Sequence, residues 1–453
     1  MNSIYNLKRN NELRERADQV LVGGVSAAWN HFPEMGPIYF DKAEGSRITD
    51  VDGNEYIDYV VGWGSLFLGH NPGVLHKAIQ QSLETGFGFQ YESQYHVELA
   101  EKITNIVPSA EMVRLCNSGT EATMNAIRLA RIKTGKNKVI KFEGHFHGLH
   151  DYLLYSMDTS PHLGEVRGLG DIQPIPGSAG IPGMIEQLVI PLPFNDIEAF
   201  VAAVKRHKDD LAAIIMEPIS LNIGCVKPTQ EFLQALRTIS KEEGIVLIFD
   251  EVLTGFRVAL GGAQEYLNIE PDLSCFGKAL GCGLPVAALA GKKEFMTGLE
   301  PIGKGQMSGT NTGRMITVLG TLSALKELEK PGQYEHITNL NDTFVREFSG
   351  LMERYSIPGY VQGVGGRIGI HFGLRSQPTD YRHIIREWNK DFTLECFRKA
   401  FYEQGLYGFF LPLSDCPEPI TMCLAHTLED VYETLNRVEK IFQQVPYFEG
   451  TNR

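Results

Sequence analysis

The chain has 453 residues, 43% hydrophobic and 21% charged, a globular composition that excludes a disordered or collagen-like polymer. At ~150 residues per domain it has room for about three units, or one large α/β unit with a smaller companion. Lys and Arg total 42 against 55 Asp and Glu, and a formal net charge of -13 argues against a nucleic-acid or anionic-membrane partner, because phosphate binding needs a basic face.

Residues 7–22 read as a charged helix stopped by Gly23-Gly24. Short strands are expected at 37–40 and 47–50, the second joined to a strand at 56–60 by the turn Asp52-Gly53-Asn54. From about Pro72, helices alternate with short apolar runs at 112–115, 138–142, 188–191, 212–216, 245–249 and 285–289. Helical stretches at 121–133, 196–208 and 229–243 lie between them. Continuous apolar runs suit strands buried on both faces, and alternation with helices implies βαβ crossovers and a mostly parallel sheet. Residues 151–183, rich in Gly, Pro and Ser, break the rhythm. They read as a lid or binding loop, or as a surface insertion with no role. A long helix from Arg314 to about Leu328 ends at Lys330-Pro331-Gly332 and leads into a smaller α+β region. The expected division is an N-terminal segment at 1–67, a large domain at 68–325 and a small domain at 326–453.

The seven cysteines are scattered with no C-x-x-C pair, which points to free thiols in a reducing compartment. The N-terminus is polar, and no apolar run approaches the ~18 residues of a membrane span. A soluble, cytoplasmic protein is the expectation.

Two patterns are set aside. Gly298 to Lys304 follows most of a P-loop, but Gly305 stands where Ser or Thr must hold magnesium. His145, His147 and His150 lack a nearby Cys or a carboxylate at ligand spacing, so no metal is expected.

Three other pieces carry more. In Asn117-Ser118-Gly119-Thr120-Glu121 a strand enters a tight turn and a helix begins, with Ser118 and Glu121 at capping-box spacing. Free first-turn amides beside hydroxyls and a glycine suit a phosphate, although a plain helix cap has the same sequence. Asp250 closes an apolar run, at the strand end where open α/β sheets bind ligands. It could be a metal ligand, a cap, or the partner of a protonated heterocycle. Lys278 ends another apolar strand and is followed by glycine-rich backbone. An interior lysine is costly unless its charge is removed. Pyridoxal phosphate needs all three: a lysine for its aldehyde, a carboxylate for its ring nitrogen and a cradle for its phosphate.

On these residues the chain resembles the class III (subgroup II) aminotransferases of PLP fold type I, and within them it looks closest to the glutamate-1-semialdehyde 2,1-aminomutases. The landmarks are residues 50–58, Asn117-Ser-Gly-Thr-Glu-Ala122, Phe142-Glu-Gly-His-Phe-His-Gly148, Glu217-Pro218, Asp250 to Arg257, Phe276-Gly-Lys278 and Ser308-Gly-Thr310. The resemblance implies an α/β fold with a large domain and a smaller α+β domain. It implies that Lys278 is the Schiff-base lysine and that Asp250 faces the pyridinium nitrogen. Glu217 would orient that aspartate, Val252 would pack on the ring, and Phe146 would stack on it where the aminomutases usually have Tyr. Ser118, Gly119 and Thr120 would form the phosphate turn. Thr310 would reach the phosphate of the neighbouring subunit's cofactor, which implies a homodimer with shared sites. Asn222, Trp63 and Glu418 match pocket positions.

One departure concerns the substrate. The aminomutases read Gly-Gly-Val-Ser-Ser-Pro-Val-Arg, and that arginine grips the substrate carboxylate. This chain reads Gly23-Gly-Val-Ser-Ala-Ala-Trp29-Asn30. A neutral amide lacks the charged fork, and losing it should weaken carboxylate binding by about 2–3 kcal/mol. Either the substrate has no carboxylate there, or another cation replaces the arginine. Trp29 and His31 would make the pocket more aromatic. The implied function is transfer of an amino group between a small amine or amino acid and a carbonyl compound, by way of pyridoxamine phosphate. The alternatives are an aminomutase or other PLP-dependent isomerase working within one substrate, and a non-catalytic binding protein.

Overall fold

The computed structural model describes residues 5–32, 35–89, 91–157, 166–167, 171–412 and 416–450. The first helix, Lys8–Ala17, ends earlier than the expected 7–22, and Val22–Gly24 forms a separate 3-10 turn with Gly23 and Gly24 at positive φ. Three antiparallel strands follow: β1 Phe40–Glu44, β2 Arg47–Asp50 and β3 Glu55–Asp58. The strand expected at 37–40 is therefore displaced, and only Phe40 of that stretch joins the ladder. Pro37 has no amide to give to a ladder, which puts the start of pairing beyond it.

The central sheet holds β4 Met112–Cys116, β5 Lys138–Phe142, β6 Val189–Leu192, β7 Leu211–Met216, β8 Val246–Glu251, β9 Leu273–Phe276 and β10 Ala287–Gly291. Their spatial order is β4-β10-β9-β8-β7-β5-β6. Only β10 runs against its neighbours β9 and β4. Between β9 and β10 the chain makes a single 3-10 turn, Lys278–Leu280, with no crossover helix, so it returns antiparallel.

The apolar runs become strands because both sheet faces are covered. In β7 every residue is buried. Ala213 and Ile215 pack with Ala122, Ala126 and Leu129 of the helix Gly119–Thr134. Ile214 and Met216 point the other way, into a cluster with Phe200, Leu233 and Leu236 of the helices Ile197–His207 and Gln230–Glu242. This is the two-residue period of a strand written between two helical layers.

Part of the expected loop at 151–183 lies outside the described residues, at 158–165 and 168–170. The described part is not structureless: Val166–Arg167 pairs with Asp171–Ile172, Tyr155 bridges Pro176, and a 3-10 turn spans Gly183–Leu188. Beyond the central sheet come the helices Met315–Leu328 and Gln333–Arg354. Next are β11 Gly359–Val364, β12 Arg367–Phe372, β13 Leu406–Tyr407 and β14 Ile420–Thr421. Strands β11, β12 and β14 form one sheet, while β13 runs parallel to β3 with Leu406 opposite Ile57. The last helix, Leu428–Gln444, starts with a full capping box between Thr427 and Asp430. All seven cysteines are buried and none is in a disulfide. Among the described residues no helix is long and apolar enough to cross a membrane.

Candidate active site

Strand β4 feeds the helix Gly119–Thr134 through Ser118, whose Oγ accepts from the Glu121 amide at 3.2 Å. The Glu121 carboxylate in turn accepts from the Asn117 amide at 3.0 Å. The first amides of such a helix have no carbonyl partner within it and form the positive end of its dipole. A side chain at residue 119 would close this cradle, since a Cβ there would stand 2.8 Å from Val252 Cγ2.

Asp250 is the penultimate residue of β8, opposite Cys275 of β9. Asp250 Oδ1 accepts from the Val252 amide at 3.0 Å, and Oδ2 lies 2.7 Å from His147 Nδ1. Burial pushes the Asp250 acid up to about 7, against the opposing pull of the Val252 amide and the Lys278 charge. Burial also drives His147 well below its usual range, so its ring is neutral. A neutral imidazole beside a carboxylate carries its proton on Nδ1 and donates it. Its buried Nε2 meets no partner among the described residues.

Glu217 follows β7, and its Oε1 accepts from the Phe146 amide at 2.9 Å and from Asn222 Nδ2 at 2.7 Å. Burial raises its pKa to about 7, opposed by these bonds. Its hydrogen bonds thus fix Phe146 and Asn222, whereas the side chain bonded to Asp250 is His147.

Strand β9 delivers Lys278 to the same edge of the sheet, one strand over from Asp250. Its backbone has φ +43°, the left-handed region, and its carbonyl accepts from the Gly281 and Cys282 amides at 3.0 and 3.1 Å. Burial lowers the ammonium to about 8. The Arg367 charge pushes the same way, while Glu418, Glu217 and Asp250 oppose it.

Ser118, Gly119, Thr120, Phe146, Glu217, Asn222, Asp250, Val252 and Lys278 line one cavity of about 300 Å³. Four predicted site residues lie outside that lining. Trp63 reaches it through Trp29, whose ring lies 6.0 Å from Trp63 and 5.3 Å from Phe146. Asn30 is exposed at the end of the short turn Ala28–Asn30. Glu418 is paired with Arg367 at 2.6 Å. Thr310 is exposed on the segment before the helix Met315–Leu328.

Sequence reasoning missed His147 and Arg367. In the sequence His147 stands out only as a candidate metal ligand, and among the described residues no cluster is gathered to hold a metal. Its place immediately after Phe146 was the available signal. Arg367 opens a strand behind Gly365-Gly366, and nothing local marks it.

Residues 30–409 match the family described as Aminotransferase class-III. Glutamate-1-semialdehyde 2,1-aminomutase of Persephonella marina is 42% identical over 441 residues, which cover 97% of this chain and 99% of that protein. Among solved structures, an omega-transaminase from Sphaerobacter thermophilus superposes with a TM-score of 0.88 at 30% identity, covering 97% of this chain and all of that one. A transaminase with PLP bound superposes with a TM-score of 0.85 at 27% identity, over 97% of this chain and 98% of that one. This chain belongs to the class III aminotransferase family.

Proposed function

We propose that the protein holds pyridoxal phosphate in the cavity beneath Lys278 and uses it to move an amino group between an amine or amino acid and a carbonyl compound. The observation that carries this reading is the placement of Lys278 and Asp250 at the ends of neighbouring strands, lining one cavity with the start of a helix. The residues suit the cofactor. The helix start, left open by Gly119, is the place for its phosphate. The buried acid of Asp250, raised to about 7, gains by facing a cationic ring nitrogen. Phe146 and Val252, both lining the cavity, offer the apolar surfaces on which a ring would pack.

Bound there, pyridoxal phosphate would supply an aldehyde for the amine and a protonated ring that draws electrons from the adjacent C–H bond. Asp250 keeps the ring nitrogen protonated, and His147 holds Asp250 by donating from Nδ1. Lys278, lowered to about 8, is partly neutral near neutral pH and can take a proton from the substrate carbon on Nζ. Glu217 holds the Phe146 backbone and Asn222 beside the ring.

The same proposal includes a homodimer in which Thr310 of one copy serves the other's phosphate site, supported by its exposure in the single chain. It also includes the division at 1–67, 68–325 and 326–453, supported by the seven-stranded sheet lying wholly within residues 112–291 while β3 of the N-terminal segment pairs with β13 of the C-terminal one. The cytoplasm suits seven buried cysteines with no disulfide among them. A second reading, aminomutation, is favoured by the name of the 42%-identical relative and disfavoured by Asn30.

The test loads the protein with pyridoxal phosphate and adds single amines while following the aldehyde absorbance. A transaminase stops after one equivalent until a carbonyl acceptor is added. Continuous turnover of glutamate 1-semialdehyde without an acceptor would support the second reading, and no spectral response to any amine would overturn both.

A further inference from the structure

The pocket carries two clues to the amino donor, one about charge and one about shape. Asn30 supplies no cation, so a carboxylate entering beside it needs another. The buried cation whose charge acts most strongly on Lys278 is Arg367 at the start of β12, with a side chain only 3% exposed. Arg367 is already committed. Its Nη2 pairs with Glu418 Oε1 at 2.6 Å, and its Nη1 donates to Thr421 Oγ1 at 2.6 Å. A substrate carboxylate would have to displace a glutamate tethered to the same chain, which competes at high effective concentration. The positive charge near the site is thus neutralised from within.

The remaining surface is aromatic. Trp29 meets Phe146 at 5.3 Å with planes at 70°, and meets Trp63 at 6.0 Å with planes at 60°. Phe146 is a wall of the cavity that holds Lys278. Trp29 stays 45% exposed, so a broad indole surface beside this wall is left uncovered. These rings already pack edge to face, and one more ring can join them in the same geometry.

Resting on the function proposed above, we infer that the preferred amino donor carries an aromatic ring on the reacting carbon and no carboxylate, with Trp29, Trp63 and Phe146 receiving the ring. The net reaction is R–CH(NH2)–R′ + O=CXY → R–CO–R′ + H2N–CHXY, with R aromatic. The donor carbon loses two electrons, the acceptor carbonyl gains them, and nitrogen and oxygen exchange places.

The experiment compares 1-phenylethylamine with 3-amino-3-phenylpropanoate, which differ by a carboxylate, and with 2-aminobutane, which lacks the ring. Each is mixed with the pyridoxal-phosphate-loaded enzyme, and the loss of aldehyde absorbance gives kcat/KM for the half-reaction. The expected result is that 1-phenylethylamine exceeds each of the others by about tenfold or more. Asn30→Arg is expected to narrow its lead over the amino acid, and Trp29→Val its lead over 2-aminobutane. The inference is overturned if the amino acid reacts faster and Arg367→Met removes that advantage, because Glu418 then yields to the substrate. It is equally overturned if loaded enzyme ignores the ring, an outcome that leaves the proposed function standing. Protein that never acquires the aldehyde absorbance would instead sink that function and this inference with it.

Discussion

His147 Nδ1 stands 2.7 Å from Asp250 Oδ2, and both side chains are shut away from solvent. Because burial holds the imidazole neutral, the histidine gives the aspartate a hydrogen bond without neutralising it. Once ionised, Asp250 therefore has its negative charge left for whatever cation faces it across the cavity. A bond to a charged group contributes about 1.5–3 kcal/mol. His147→Ala should slow the amine half-reaction about tenfold or more and shift its pH profile, while the protein still takes up pyridoxal phosphate. Stopped-flow absorbance over a pH series checks this, and an unshifted profile at an unchanged rate would remove His147 from the account.

The raised acid of Asp250 has a stability consequence. Its pKa moves from 3.8 to about 7 on folding, so between those values the folded chain holds a proton that the unfolded chain has released. This contribution to stability is present at low pH and is lost as pH rises through that window. Cofactor-free protein should lose part of its thermal stability between pH 5 and pH 7 on this account. Asp250→Asn should lessen the loss, as melting curves at the two pH values would show. An identical loss in both proteins would mean that the aspartate is solvated.

At Gly119 the expectation is steric. A methyl group there would stand 2.8 Å from Val252 Cγ2, at the mouth of the helix start. Crowding of this kind costs about 1–3 kcal/mol. Gly119→Ala should weaken pyridoxal phosphate binding by about fivefold or more, and adding Val252→Ala should recover part of it. Equilibrium dialysis measures both, and full affinity in the single variant would contradict the close approach.

Much of this arrangement was legible in the sequence, for a physical reason. Strands buried on both faces must be apolar throughout, so the runs around residues 140, 214, 247 and 274 stood out. The polar residue ending each run then marked the ligand edge, which is how Asp250 and Lys278 could be singled out. Relationships that cross the chain were not legible. The expectation of Glu217 beside Asp250 missed His147, because a bond between 147 and 250 depends on how the loop after β5 folds back. The pairing of Arg367 with Glu418 likewise joins a strand start to a distant loop. At 37–40 the apolar pattern outweighed the missing amide of Pro37, and the strand began late.

The measurement that bears most directly on the central claim is chemical. Protein reconstituted with pyridoxal phosphate is reduced with borohydride, digested and mapped by mass spectrometry. The account predicts a single stable adduct on the peptide containing Lys278, and none from Lys278→Ala, which should also have lost turnover. An adduct confined to other lysines, or full activity in the alanine variant, would contradict it.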